Sequence, residues 1–318
     1  MIVSAGPVTV DVPASSANLG AGFDTLALAL DLADIFTVER DEDVPPGTIV
    51  VTVDGEGSDV LPTDGSDRFS QALRRGLAEV DGARAPDQAW RVRMHNAIPL
   101  ARGLGSSAAA TVGGLAAADL LLGGGVIASD RMLELASQLE GHPDNVAAAL
   151  HGGFTVAAQV DVGFALARFE PPSGLLAVLF VPDRALPTQR MREVLPESVP
   201  RRDAVHNVAR ASLMVAAMAS GRPGLLAAAT EDRLHEPYRA AIFPELSRLI
   251  AAARAAGAMG ACLSGAGSTI LSFADRPDLA ADVATALERE ADSSGLAGRS
   301  MVVRPRPQGV IGIGSPST

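Results

Sequence analysis

The sequence predicts an α+β protein built as two domains. Strand-like alternation crowds roughly the first 60 residues ahead of any helical pattern. A proline- and glycine-rich break, Pro171-Pro172-Ser173-Gly174, then separates two stretches of different character. Finally, 318 residues with 47% hydrophobic content hold enough apolar material for two buried cores. The boundary falls near 160–175, which gives an amino-terminal domain over 1–165, a carboxy-terminal domain over 166–304 and a disordered tail over 305–318, rich in Pro, Gly and Ser.

The elements follow in order. Val8–Val12 and Ile35–Arg40 alternate or carry β-branched residues, and Thr48–Val53 follows a Pro-Pro-Gly turn, so all three read as strands. Ser66–Val80 carries apolar or small residues at Phe69, Ala72, Leu77 and Val80 and reads as a helix, and Trp90–His95 alternates as a strand. Ser106–Leu122 is almost all small or aliphatic, the composition of a helix buried against a sheet, and Gly123-Gly124-Gly125 stops it. Ser129 is a candidate N-cap for a helix over Asp130–Leu139, and Pro143 suits the first turn of a helix over Pro143–Leu150, which Gly152-Gly153 ends before a strand at Phe154–Gln159. Beyond come strands at Phe164–Phe169 and Leu175–Val181, helices at Asp203–Met218 and Leu246–Ala256, strands at Met259–Leu263 and Ser268–Phe273, a helix at Leu279–Ala291 and a strand at Ser300–Arg304, the order of a smaller α+β sandwich.

Composition excludes several functions. The net charge is −11 and all 26 basic residues are arginine, which disfavours nucleic acid and anionic membranes as partners. The absence of lysine removes Schiff-base and pyridoxal-phosphate chemistry. The single cysteine, Cys262, cannot form an internal disulfide, the amino terminus lacks a signal-like pattern, and no apolar run reaches the ~20 residues of a membrane span, so a cytoplasmic protein acting on small molecules is expected.

The densest chemical signal is the run Pro-Leu-Ala-Arg-Gly-Leu-Gly-Ser-Ser-Ala-Ala at 99–109. It lacks the lysine of a Walker A loop. As a phosphate cradle, the amides of Gly103–Ser106 would form an anion nest at a helix amino terminus, with the hydroxyls of Ser106 and Ser107 available to magnesium. Alternatively, Gly103–Ala108 matches a relaxed dinucleotide fingerprint, although Pro99 and Arg102 fit it poorly and no strand with an acidic end follows about 20 residues later. A plain strand-to-helix turn is the third reading. Val12–Asp24 reads as a loop with an Asn and an Asp that could face a ligand, Glu-Gly-His-Pro-Asp-Asn at 140–145 gathers polar groups at a helix start, and Ser264–Thr269 is a second turn of small residues.

Together these segments, from about Val8 to Phe273, resemble the GHMP kinase superfamily, and within it the homoserine kinase branch. Pro99–Ala109 is similar to the ATP phosphate loop and Leu263–Thr269 to the turn that supports it. Val12–Asp24 resembles the first motif, and Glu140–Asn145, Thr188–Pro196 and His235–Arg239 resemble the branch's own segments. The resemblance implies a ribosomal-protein-S5-like amino-terminal domain, a ferredoxin-like carboxy-terminal domain and a site between them. It implies ATP-dependent phosphorylation of the L-homoserine hydroxyl, as in threonine biosynthesis, by a homodimeric enzyme.

Residue by residue, the resemblance assigns ATP to Pro99, Leu100, Ala101, Arg102, Gly103, Leu104, Gly105, Ser106, Ser107, Ala108 and Ala109, with Ser264, Gly265 and Gly267 in support. Mg2+ falls to Glu134 with Ser106 or Ser107, oxygen ligands that suit the ion. Arg192 and Arg239 become a clamp for the substrate carboxylate and Asp24 and Asp144 partners for its ammonium, with Asn18 and His142 completing the amino-acid site and Thr188 near the reacting hydroxyl. Asn145 stands where the mevalonate kinase branch carries a basic aspartate; it cannot take a proton, so positioning and electrostatics must supply the rate. Two positions depart from the family pattern: Ala266 and Ser268 in the supporting turn, and Asp67 where Asn is usual on the adenine side. A catalytically silent sensor, a mevalonate-type or diphosphocytidyl-methylerythritol-type kinase and a nicotinamide dehydrogenase are the competing readings. Glu134 and the serine pair argue against the sensor, and Asn145 with the paired arginines against the other kinases.

Overall fold

A computed structural model describes residues 6–81 and 88–313. In chain order the strands and helices are β1 (Val8–Asn18), β2 (Gly22–Arg40), β3 (Ile49–Gly55), α1 (Arg68–Asp81), β4 (Trp90–Asn96), α2 (Ser106–Leu121), α3 (Ser129–Glu140), α4 (Asp144–His151), β5 (Phe154–Gln159), β6 (Phe164–Phe169) and β7 (Leu176–Pro182). They continue with α5 (Thr188–Glu193), α6 (Arg201–Ala219), α7 (Leu226–Ala229), α8 (Glu236–Arg239), α9 (Leu246–Ala255), β8 (Gly260–Leu263), β9 (Ile270–Ala274), α10 (Pro277–Ser293), β10 (Gly298–Val303) and β11 (Ile311–Ile313).

Two sheets organise these elements. The first runs β11-β1-β2-β4-β3, with β5 pairing β2 and β6 pairing β5. Only β3 and β4 run parallel among these pairs. The 19-residue β2 serves two partners, Ile35–Arg40 lying on β4 and Leu26–Leu28 on β5. The second sheet, β10-β7-β9-β8, is antiparallel throughout. β6 pairs within the first sheet and β7 within the second, so the chain changes sheets at the Pro171–Gly174 turn.

Burial follows the sequence pattern at the start of β1, where Val8, Val10 and Val12 point inward and Thr9 and Asp11 stay half-buried. From Pro13 to Asn18 every residue is buried. Here α2 and α4 pack on β1, and the Gly265 amide donates to the Ala17 carbonyl at 3.0 Å. A strand enclosed in this way cannot alternate, which is why Val12–Asp24 reads as a loop in sequence. In the structure only Leu19–Ala21 form the turn, between two paired strands.

α2 is buried along most of its length, as its composition predicts. Its two glycines are spacers. A Cβ on Gly113 would lie 2.8 Å from the Phe36 ring, which stacks on Phe69 at 4.6 Å, and a Cβ on Gly114 would lie 2.3 Å from the Phe69 carbonyl oxygen. Close approach of α1 to α2 therefore requires bare backbone at these positions.

Three sequence expectations change. Ala128, not Ser129, holds the N-cap position of α3, with no side-chain cap bond, and Pro143 stands one residue before α4 rather than in its first turn. The tail is ordered through residue 313. Arg306 is buried, its guanidinium Nη1 meets Asp11 at 2.7 Å, Pro305 bridges Leu30, and β11 pairs β1. Its Pro, Gly and Ser content suggested disorder, yet the tail satisfies backbone groups of the first sheet. Residues 314–318 lie outside the described residues. The short helices α5, α7 and α8 span too few residues to carry a readable period.

In an ordinary helix Gly→Ala stabilises by about 1 kcal/mol. Here Gly114→Ala is expected to destabilise by about 1–3 kcal/mol through overpacking against Phe69. A lower denaturant midpoint at unchanged m-value checks it, and a raised midpoint contradicts the packing argument.

Candidate active site at the amino terminus of α2

The site begins where β4 ends. Asp34, buried in β2, accepts the amides of Ala97 at 2.7 Å and Ile98 at 2.9 Å, fixing the chain just before Pro99. Burial pushes its carboxyl up to about 6, against the lowering effect of the two amides. The loop then bends through left-handed positions at Ala101 (φ 53°), Gly103 (φ 76°) and Gly105 (φ 73°). Gly105 occupies the N-cap of α2 with no side-chain cap bond, so the first-turn amides remain available to an anion.

The loop is keyed into the Ser264–Gly267 turn of the other sheet. A Cβ on Gly103 would fall 2.1 Å from the Ser264 carbonyl oxygen. The Ser264 hydroxyl donates to the Gly103 carbonyl at 2.6 Å and lies 2.8 Å from the Ser16 hydroxyl, and the Thr269 amide donates to the Arg102 carbonyl at 3.0 Å. Arg102 donates to the carbonyls of Pro182 at 2.7 Å, Leu100 at 2.8 Å and Asp183. The one cation in the loop is thus tied up in holding backbone.

Across the same cavity, of about 110 Å³, stand the polar groups of the predicted amino-acid site. The Asn18 carboxamide donates to the Gly265 carbonyl at 2.9 Å and accepts the Asp24 amide at 3.0 Å. Asn18 and Asp24 themselves sit at positive φ, 68° and 52°. Arg192 grips Asp24 with two parallel bonds of 2.7 and 2.9 Å, and hydrogen bonding to that carboxylate raises its already high pKa. Arg239 is 1% exposed and, among the described residues, has no carboxylate within ion-pair distance. Both guanidinium groups lie over the Phe23 ring, at 5.7 and 5.6 Å.

His142 Nδ1 and Asp144 Oδ1 are 2.6 Å apart. Burial pulls the His142 imidazole down, but the bond to Asp144 and its charge outweigh that and leave the pKa raised. Asp144 also accepts the Asn145 amide at 2.6 Å, and the Asn145 side-chain oxygen accepts the Ser15 hydroxyl at 2.9 Å. Thr188, the first residue of α5, lines the cavity too.

The predicted acidic partner of the serines does not come to them. Glu134 pairs with Arg131 at 2.8 Å and is absent from the cavity wall. Glu140, at the end of the same helix, lines the cavity and accepts the Ser107 hydroxyl at 2.9 Å and the Thr111 hydroxyl at 2.7 Å. Its signal was present in sequence as the first residue of the Glu140–Asn145 segment. Of the predicted nucleotide residues, Pro99, Ala101 to Ala108 and Gly265 line the cavity, while Leu100, Ala109, Ser264 and Gly267 stand behind it. Asp67 lies away from that wall and caps α1 through the Ser70 amide at 2.9 Å. Among the described residues, no group of three or more His, Cys, Asp or Glu could hold a metal unaided.

Residues 68–153 match the family model of the GHMP kinases N-terminal domain, and residues 214–293 that of the GHMP kinases C-terminal domain. The chain is similar to the homoserine kinases of Streptomyces coelicolor, 41% identical over 93% of this chain and 92% of that relative, and Deinococcus radiodurans, 42% identical over 93% and 94%. The crystal structure of homoserine kinase from Cytophaga hutchinsonii superposes with a TM-score of 0.85 at 27% identity, covering 96% of this chain and 97% of that one. Leishmania major mevalonate kinase in complex with R-mevalonate, at 15% identity and a TM-score of 0.69 over 96% and 97%, shares the fold.

Gly103→Ala places a side chain on the Ser264 carbonyl and forces a left-handed alanine. Loss of about tenfold or more in ATP affinity by calorimetry is expected, since displacements of about 1 Å at such a site are costly. Gly224→Ala, with open space around it, serves as the unaffected control.

Proposed function

The chain belongs to the GHMP kinases, in their homoserine kinase branch, and on that premise we propose that it transfers the γ-phosphoryl group of ATP to the side-chain hydroxyl of L-homoserine, giving O-phospho-L-homoserine and ADP. The observation that carries the reading is that one cavity is lined both by the uncapped amino terminus of α2 and by Asn18, Asp24, His142, Asp144, Arg192 and Arg239. A helix terminus suits phosphate, and that side-chain set suits an α-amino acid.

In this reading Arg239, with no carboxylate of its own, binds the substrate carboxylate with help from the free N–H groups of Arg192. Asp24 and Asp144 receive the ammonium. Gly103–Ala108 cradle the phosphates through backbone amides. The oxygen donors Glu140 and the hydroxyl of Ser107 or Ser106 fit Mg2+, an ion that takes few protein ligands beside phosphate oxygens. When bound, the ion neutralises charge on the phosphates. Glu134, which does not line the cavity, is not part of this proposal.

Asn145 offers only a carboxamide, already occupied by Ser15, so no side chain there takes the hydroxyl proton. The substrate oxygen bonds to phosphorus as the bond to ADP breaks, and the proton passes to an oxygen of the transferred group. A loose transition state requires little of a base. The reading includes a cytoplasmic location, expected from the cysteine count and the sequence pattern, and a homodimer, carried over from the family resemblance. Among the described residues, no helix is long and apolar enough to cross a membrane.

ADP release dependent on both L-homoserine and Mg2+ is the test; binding of homoserine without turnover would favour a sensor. Glu140→Gln is expected to lower kcat by about 100-fold or more, as when a group aimed at developing charge is removed. Glu134→Gln should stay within about threefold of the parent rate, and the reverse ranking would return the metal role to Glu134. Asn145→Asp should not raise kcat; a gain above about tenfold would mean that a base is what the reaction lacks.

A further inference from the structure

The cavity's two arginines are held differently. Arg192 meets a carboxylate, whereas each partner of Arg239 is neutral. Its Nε donates to the Met191 carbonyl at 3.1 Å, and Nη1 donates to the Gly265 carbonyl at 2.9 Å and lies 3.1 Å from Nδ1 of His235. His235 is fully buried, and its Nε2 lies 2.8 Å from the Gly20 carbonyl oxygen in the turn between β1 and β2.

These contacts fix the charge of His235. A carbonyl can only accept, so Nε2 carries a hydrogen, and a guanidinium can only donate, so Nδ1 carries a lone pair. The ring is the neutral Nε2–H tautomer. Burial and Arg239 both hold the imidazole pKa down, against Asp232, whose Oδ2 is 3.7 Å from Nε2. Asp232 is itself occupied by the amides of Leu234, His235 and Glu236 and by the Asn207 carboxamide.

We propose that His235 is a positioning residue for substrate recognition: its neutral Nδ1 accepts from Arg239 and, braced by the Gly20 carbonyl, aims the guanidinium into the cavity without cancelling its charge. A carboxylate at this place would orient Arg239 equally well but would compete with the carboxylate of the substrate. A neutral acceptor leaves the full positive charge for the ligand. The brace also explains how residues of both sheets act on one guanidinium: Gly20 belongs to the β1–β2 turn of the first, and Gly265 to the β8–β9 turn of the second.

The proposal rests on homoserine being the acceptor, and its test separates the two. Asn can present an oxygen near the place of Nδ1, while Gln reaches the place of Nε2 but leaves Arg239 without its acceptor. His235→Asn is expected to keep the L-homoserine Kd, by calorimetry without ATP, within about threefold of the parent. His235→Gln should weaken it about tenfold or more, the scale of a hydrogen bond to a charged group, with the KM for ATP unchanged. Against 3-aminopropan-1-ol, which keeps the ammonium and hydroxyl but lacks the carboxylate, His235→Gln should react like the parent. Equal loss in both variants, or equal loss toward the two acceptors, overturns the positioning role. If His235→Gln does not fold, His235→Asn decides, and a tenfold weaker Kd there overturns the proposal. Failure of the parent protein to bind L-homoserine overturns the substrate reading and the inference with it.

Discussion

The site depends on how one turn of the second sheet locks against the first. Gly265 donates its amide to Ala17 of β1, and its carbonyl receives both the Asn18 carboxamide and Arg239. Beside it, the Ser264 hydroxyl holds the Gly103 carbonyl. The Pro99–Ala109 loop, the polar side chains of the cavity and the interface between sheets therefore share one set of backbone groups. Such buried polar contacts are costly to leave half-made, so the loop and the arginine are fixed together or not at all. Small residues at 103, 265 and 267 follow from this, because a Cβ on Gly103 would occupy the space of the Ser264 carbonyl and one on Gly267 that of the Leu263 side chain.

Much of the fold was legible because its signals are local. Alternation or β-branching marked the start of β1 and the end of β2, alternation marked β4, and the small-residue run marked α2 as a helix enclosed on most sides. What escaped depends on distant partners. Pro13–Asn18 lost alternation because both faces are covered, and residues 305–313 read as disordered from their Pro, Gly and Ser content, yet Arg306 finds Asp11 almost the whole chain away. Pattern reading sees the residue and not the partner.

The site divides along the same line. Asn18, Asp24, His142, Asp144, Arg192 and Arg239 could be placed from their motifs, and the structure brings them to one cavity. Glu134 and Glu140 are both acidic residues of one helix, and only the way α3 runs past α2 decides which of them meets Ser107. Asp34 and His235 act through bonds to backbone and to another side chain, contacts with no signature in the identity or spacing of either residue.

Arg102, the cation inside the glycine loop, spends its donors on three carbonyls, so in the proposed reading phosphate would meet amides, the hydroxyls of Ser106 and Ser107 and the positive end of a 16-residue helix. That partial charge is small against triphosphate, and the Glu140 carboxylate beside Ser107, met by Arg68 at 3.4 Å, adds no positive charge there. In the proposed reading a divalent cation bound with the nucleotide would supply the positive charge that the loop lacks. For the amino acid the proposed reading has the reverse: Arg239 bonds only to neutral acceptors, so its charge is left to meet a carboxylate directly. In that reading phosphate recognition depends on a charge brought in with its ligand, while amino-acid recognition carries its own.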